Sequence, residues 1–166
     1  MAIGYTLEID TSWSAAAVAA EVLALGRAAG IVSGSDGADA LPADLETRSG
    51  TWVRVQPDAE KPEPWASWDP VATTFGLRST VSISFRLGKS DDLVPQDDDV
   101  IRLVTKLLDR VPGDLILWIP ESDLVWLLRR GHQLVLSDQD DLWPPHRLNL
   151  VTQPYRRVPL AFDESS

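Results

Sequence analysis

The sequence predicts an α+β domain: one mostly antiparallel sheet of about six strands with two main helices packed on one face. The predicted order is β-α-β-β-α-β-β-β, closed by a short C-terminal helix. Three observations carry this. Ile3, Tyr5, Leu7 and Ile9 alternate with Gly4, Thr6, Glu8 and Asp10, and Val81, Ile83, Phe85 and Leu87 alternate with Ser82, Ser84 and Arg86. A period of two marks a strand with one buried and one wet face. Two further segments carry apolar residues at helical spacing. After Pro112-Gly113, three apolar runs follow one another across turns short enough to demand antiparallel neighbours.

In chain order, the first strand ends at Asp10, and Thr11 and Ser12 offer helix caps. From Ser14 the chain is alanine-rich, with Val18, Val22, Leu25 and Ala29 on one helical face and Gly30 as a C-terminal stop. Residues 33–43 form a loop by composition. Residues 51–56 read as a strand, with Trp52 and Arg54 on one side and Val53 and Val55 on the other. Residues 57–70 hold four prolines, which argue against regular structure, and Trp65 and Trp68 either pin this loop to the body, the commoner role of tryptophan, or stack on a ligand.

The strand at 75–89 leads to Asp97, Asp98 and Asp99 at the start of the second helix, where carboxylates suit the positive end of the dipole. Val100, Leu103, Val104, Leu107 and Val111 form its core stripe, widened by Ile101 and Leu108, and Pro112-Gly113 ends it. Residues 114–119 read as a central strand apolar on both faces, followed by strands at 124–129 and 132–137. Pro144-Pro145 opens a short helix through Leu148 and Val151, since proline suits a first helical position. Residues 154–162 run out as an extended tail and 163–166 fray, so residues 1–162 form a single domain. The wet face of the first and third strands, with Thr6, Glu8, Ser82, Ser84 and Arg86, is either open to solvent or covered by the proline-rich loop.

At 166 residues the chain can bury a substantial core. It has no cysteine, which excludes disulfides, a thiol nucleophile and thiolate metal ligation and fits a reducing cytoplasm. No apolar run approaches the roughly 20 residues of a membrane helix, and the N-terminus lacks the pattern of a signal peptide. The net charge is −10, from 25 acidic and 15 basic side chains, which would repel phosphate backbones. The sequence thus points to neither nucleic acid nor membrane. Acidity serves solubility, and it can also steer a basic protein partner.

The chain carries no motif that names a chemistry. Neither of the two histidines, His132 and His146, lies in a metal-ligating spacing. There is no nucleophile elbow and no phosphate-binding glycine loop; the glycines of residues 33–37 lack a lysine and a following helix. Asp138, Asp140 and Asp141 form an acidic turn beside Trp143, but Leu142 stands where a calcium loop needs glycine. No catalytic, metal or cofactor residue is assigned.

Several segments together carry a resemblance: FGLRSTVSISFRLGK (75–89), the acid-led helix ending in VPGDLILWI, the hairpin through LVWLLRRGHQLVLSD, and the closing LWPPHRLNLVTQPYRRVPLAF. This pattern resembles the Sit-type immunity proteins of bacterial polymorphic-toxin systems. It extends over residues 75–162 and, more loosely, over the first strand and helix, while residues 33–70 contribute nothing to it. The resemblance implies a cytoplasmic, non-enzymatic protein that binds a cognate protein toxin stoichiometrically and protects the producing cell and its kin. It brings no catalytic residue and no cofactor.

On that reading the partner is a toxin, basic if the chain's acidity is its complement, and the chain is a monomer or weak dimer. The first candidate contact is Asp91, Asp92, Asp138, Asp140, Asp141 and Trp143, as acids flanking an exposed aromatic. The second is Ser82, Ser84 and Arg86 on the wet strand face. Each of these residues has an ordinary structural reading too, as a solvated turn or a packed side chain. Two rival functions stand beside it: a small enzyme using carboxylates and a histidine in a cleft, and an adaptor that self-associates through a sheet edge.

Overall fold

The computed structural model describes residues 4–32, 45–58, 69–89 and 92–162. The chain runs β1 (Gly4–Asp10), α1 (Ala15–Ala28), β2 (Leu45–Glu46), β3 (Trp52–Pro57), α2 (Pro70–Phe75) and β4 (Val81–Arg86). It continues through α3 (Val94–Leu108), β5 (Asp114–Ile119), β6 (Leu124–Arg130), β7 (Gln133–Ser137), α4 (Pro145–Leu148) and β8 (Arg156–Val158). One sheet takes all eight strands in the order β2-β3-β4-β1-β5-β6-β7-β8, antiparallel throughout except for the parallel β7–β8 pair.

The centre of the sheet is built by two interleaved crossovers. α1 carries the chain from β1 over β4 to β3, and α3 carries it from β4 over β1 to β5. The two crossovers step in opposite directions from antiparallel strands, so connections of the same hand place both helices on one face. This β-α-β-β-α-β arrangement is the split βαβ pattern. The helices contact each other, and beneath them Tyr5, Leu7, Ile9, Val53, Val55, Ile83 and Phe85 form the main core with Val18, Val22, Ile101, Val104 and Leu107. The alternation read in β1 and β4 is the register seen: Leu7 pairs with Ile83 and Leu117, while Glu8 pairs with Ser82 and Ile116 on the opposite face.

Local chemistry sets the element ends. Ser14, rather than Thr11 or Ser12, caps α1: its side chain accepts from Ala17 N, and Thr11 Oγ1 instead accepts from Trp13 N. The α3 stripe is buried as expected, although the helix begins at Val94, so Asp97–Asp99 fall within its first turns. Its C-terminal carbonyls are gathered by Arg129, which donates to Leu108 O, Val111 O and Gly113 O at 2.6–2.8 Å. Gly113 (φ +110°) passes so close to β1 that a Cβ there would stand 1.9 Å from Asp10 O.

Three elements depart from expectation. Asp69 caps α2 through Val71 N, with Pro70 at the first helical position, so the proline-rich stretch ends in a helix. Residues 59–68, with Trp65 and Trp68, lie outside the described residues, as do 33–44 and the tail 163–166. The C-terminal segment contributes β8 rather than an unpaired tail, and β2 adds a two-residue edge. The sheet therefore has eight strands where about six were expected.

The second face is not uniformly wet. Over β5, β6 and β7, α2 and the C-terminal segment enclose a smaller apolar cluster of Val71, Phe75, Leu77, Ile116, Val125 and Leu128. Trp118, Val135, Leu160 and Phe162 pack against it. A bulge between Leu117 and Trp118 shifts the β5–β6 register, and it lets both Trp126 and Leu127 join the main core while Val125 faces the smaller one.

Candidate partner-binding surface

The acidic end of the molecule is assembled where α4 docks on the first turns of α3. Arg147, 4% exposed, donates from Nε to Asp98 Oδ1 at 3.0 Å and from Nη1 to Leu142 O at 2.9 Å. Its guanidinium lies 5.3 Å from the centre of the Trp126 ring. His146 Nε2 stands 3.4 Å from the other oxygen of Asp98. At the preceding residue, Tyr5 donates its hydroxyl to Asp97 Oδ1 at 2.6 Å. Burial raises the Tyr5 hydroxyl far above the usual phenol range, with the Asp97 charge adding to it, so Tyr5 stays a donor. Burial also raises the Asp97 carboxyl, against the opposing effects of the Tyr5 hydrogen bond and Arg147.

Trp143 closes this end from inside. It is 1% exposed, donates from Nε1 to Trp126 O at 2.9 Å and meets the Trp126 ring edge-on at 5.9 Å. The expectation of an exposed aromatic beside the acidic turn is therefore corrected: a large apolar ring following Leu142, in the turn between β7 and α4, is drawn into the core. Its acidic neighbours are at the surface. Asp138, Asp140 and Asp141 are exposed, with Asp140 Oδ1 3.5 Å from Arg157 Nη1.

Asp92 is also exposed and accepts from Val94 N, capping α3 where Leu93 cannot. Asp91 lies outside the described residues. The Asp98–Arg147 pair thus ties α3, which Asp92 precedes, to α4, which follows the 138–141 turn. Nothing in the sequence marked Arg147 or Tyr5 as partners of these acids, because the two contacts span 49 and 92 residues.

The second candidate surface is divided. Ser82 is buried and donates to Asp58 Oδ1 at 3.0 Å, and Ser79 donates to Asp58 Oδ2, so Ser82 is engaged in holding the β3–β4 end. Ser84 is half-buried and Arg86 is exposed. Arg86 pairs in register with Trp52, which is 41% exposed and, among the described residues, one of three large apolar side chains at the surface. On the same face Trp118 Nε1 donates to Glu8 Oε2 at 2.8 Å.

A concavity of about 400 Å³ lies at the C-terminal end of α3, lined by Asp109, Arg110, Asp114, Arg129 and His132. Three of these side chains are engaged in the fold. Arg129 serves three carbonyls, Asp114 Oδ1 accepts from Gly131 N, and Asp109 Oδ1 accepts from Gln153 Nε2. Among the described residues no three histidine or acidic side chains are grouped as metal ligands, and no helix is long and apolar enough to cross a membrane.

The profile of the SitI3-like family matches residues 3–147. The chain belongs to the SitI3-like family. No curated protein and no solved structure matches it. The family match agrees with the resemblance to Sit-type immunity proteins and redraws its extent. It takes in the 33–70 region, which contributed nothing to that resemblance, and stops at Arg147, short of β8 and Phe162.

Proposed function

We propose that this protein is an immunity protein that neutralises a cognate bacterial toxin by stoichiometric binding, without catalysis, in the cytoplasm of the producing cell and its kin. The observation that carries the reading is the family match across residues 3–147. The net charge of −10 supports a basic toxin as the partner. The exposed carboxylates of Asp92, Asp138, Asp140 and Asp141, in the segments that precede the helices joined by the Asp98–Arg147 pair, supply its electrostatic contact. Arg86 with Trp52 is the alternative contact.

Self-association through a sheet edge is the less favoured reading. β2 is two residues long, and β8 is three residues long with Pro154 and Pro159 close by, which are features that discourage edge pairing. The test is co-purification. The tagged chain, co-expressed with an inactivated form of the toxin encoded beside it, should come away as a 1:1 complex whose association slows as salt is raised. A toxin that remains unbound overturns the proposal.

A further inference from the structure

The strand register brings two surfaces of opposite character to one end of the sheet. β1 and β3 begin there and β4 ends there, with Arg86 opposite both Gly4 and Trp52. β5 ends, β6 begins and β7 ends at the same end, so the 138–141 turn leaves from it. On the β3–β4 side Trp52 is 41% exposed, and the exposed Arg86 makes no hydrogen bond or ion pair among the described residues. Arg48 in the β2–β3 turn and Lys89 beyond β4 are exposed at this end, as are Glu46 and Asp92. On the β6–β7 side the exposed side chains of the turn are Asp138, Asp140 and Asp141 with the uncharged Gln139.

The first turns of α3 hold the two sides in a fixed relation. Gln96 is 2% exposed; its Oε1 accepts from Thr51 Oγ1 at 3.0 Å and from Gly88 N at 2.8 Å, and its Nε2 donates to Gly88 O at 3.1 Å. The turn before Trp52 and the loop after Arg86 are thereby fastened to α3, and they press together so closely that a Cβ at Gly88 would stand 2.5 Å from Gly50 O. Two residues on, Asp98 holds α4 through Arg147. Positions i and i+2 point roughly 200° apart around a helix, so the same stretch of α3 anchors both sides. From β3 to β7 the order β3-β4-β1-β5-β6-β7 spans about 24 Å at ~4.8 Å per strand. That exceeds the roughly 8 Å screening length of physiological salt, so the two signs do not cancel. It also fits within one contact of about 800 Å² per partner, which is roughly 30 Å across.

We propose that this end of the sheet is one two-sign interface, in which the acidic turn and the Trp52–Arg86 pair engage the same toxin molecule together rather than as alternatives. The inference rests on the immunity reading and specifies the partner's surface. The toxin presents a basic patch to the 138–141 turn and, about 24 Å away, carboxylates around an apolar recess that receives the Trp52 ring and the Arg86 guanidinium. The acidic side steers approach, and the aromatic side, with an indole and an arginine, holds the complex. A partner with a single sign of charge is repelled at one of the two sides, so the arrangement selects for its cognate. Because Gln96 and Asp98 fix both sides in advance, little order has to be gained on binding.

Calorimetric titration with an inactivated form of the toxin encoded beside this chain tests this. The chains compared are the wild type, Trp52→Ala with Arg86→Glu, and Asp138→Asn with Asp140→Asn and Asp141→Asn. Each variant should bind at least about 5-fold more weakly than the wild type while the stoichiometry stays 1:1. A smaller loss from either variant overturns the two-sign interface and leaves the immunity reading standing. A toxin that does not bind the wild type overturns both. Should the Trp52 and Arg86 double variant fail to fold, Arg86→Glu alone replaces it under the same threshold, since Arg86 is exposed and its reversal keeps the indole.

Discussion

Arg147 and Asp98 form an ion pair in which the side chains are 5% and 11% exposed, and this pair fastens α4 to α3. Removing one partner leaves the other charge buried alone. Arg147→Ala should lower stability by about 3–5 kcal/mol, read as a shift in the urea midpoint. Combining it with Asp98→Ala should cost less than the sum of the two single changes, because the second removal relieves the stranded charge. Strict additivity would contradict the pairing.

The Asp97 carboxyl, raised by burial above its ordinary value of 3.8, makes a prediction with a sign. A folded pKa above the unfolded one means the folded chain holds the proton more tightly. This group therefore favours folding below the unfolded value, and that contribution is lost as pH rises through the raised folded value. Asp97→Asn keeps an oxygen for the Tyr5 hydroxyl and has no charge to desolvate. Relative to wild type the variant should gain stability as pH climbs above about 4, then level off. Urea midpoints measured from about pH 3 to pH 8 check this, and a constant difference across that range would count against it.

Trp143 and its acidic neighbours should separate into stability and recognition. Trp143→Ala removes a buried ring and its hydrogen bond to Trp126 O, and should cost about 3–5 kcal/mol by thermal or urea unfolding. Asp138→Asn, Asp140→Asn and Asp141→Asn together should leave the midpoint where it is. If this turn meets a basic toxin, the triple variant should slow association and flatten its salt dependence, as measured by stopped-flow or surface-based kinetics. An unchanged on-rate would move attention to Arg86 and Trp52.

Gly113 should prove irreplaceable and Gly131 tolerant, although both have positive φ. A Cβ at Gly113 would collide with Asp10 O, a backbone atom that can retreat only by parting β1 from β5. Around Gly131 there is open space, and asparagine accepts left-handed backbone. Gly113→Ala should therefore abolish soluble expression or unfold well below the wild type, while Gly131→Asn should retain a near-native melting temperature.

The elements with a local period were legible in the sequence, and those made by distant contacts were not. β1, β4 and α3 announce themselves because one face of each is apolar at the right spacing, and the structure buries those faces. α2 carried the same Asp-then-Pro start signal as any capped helix, but the density of prolines before it concealed the signal. β8 had no readable period: Arg156 and Arg157 pair with β7 through tertiary placement, between prolines that suggest a free tail. Trp143 looked exposed because acids precede it closely in sequence, whereas its neighbour in space is the Trp126 ring, over which the Arg147 guanidinium lies. The acids at the start of α3 looked alike in sequence; only folding distinguishes Asp98, bound to Arg147, from Asp99, paired with Arg102 at the surface.

The central claim is that this chain protects a cell from the toxin encoded beside it. The direct measurement is the count of viable cells when that toxin is induced with and without this chain. Survival restored by the wild-type chain, and lost when the chain is absent, is the predicted result. Death to the same extent in both, with the chain shown to be present and folded, would contradict the account.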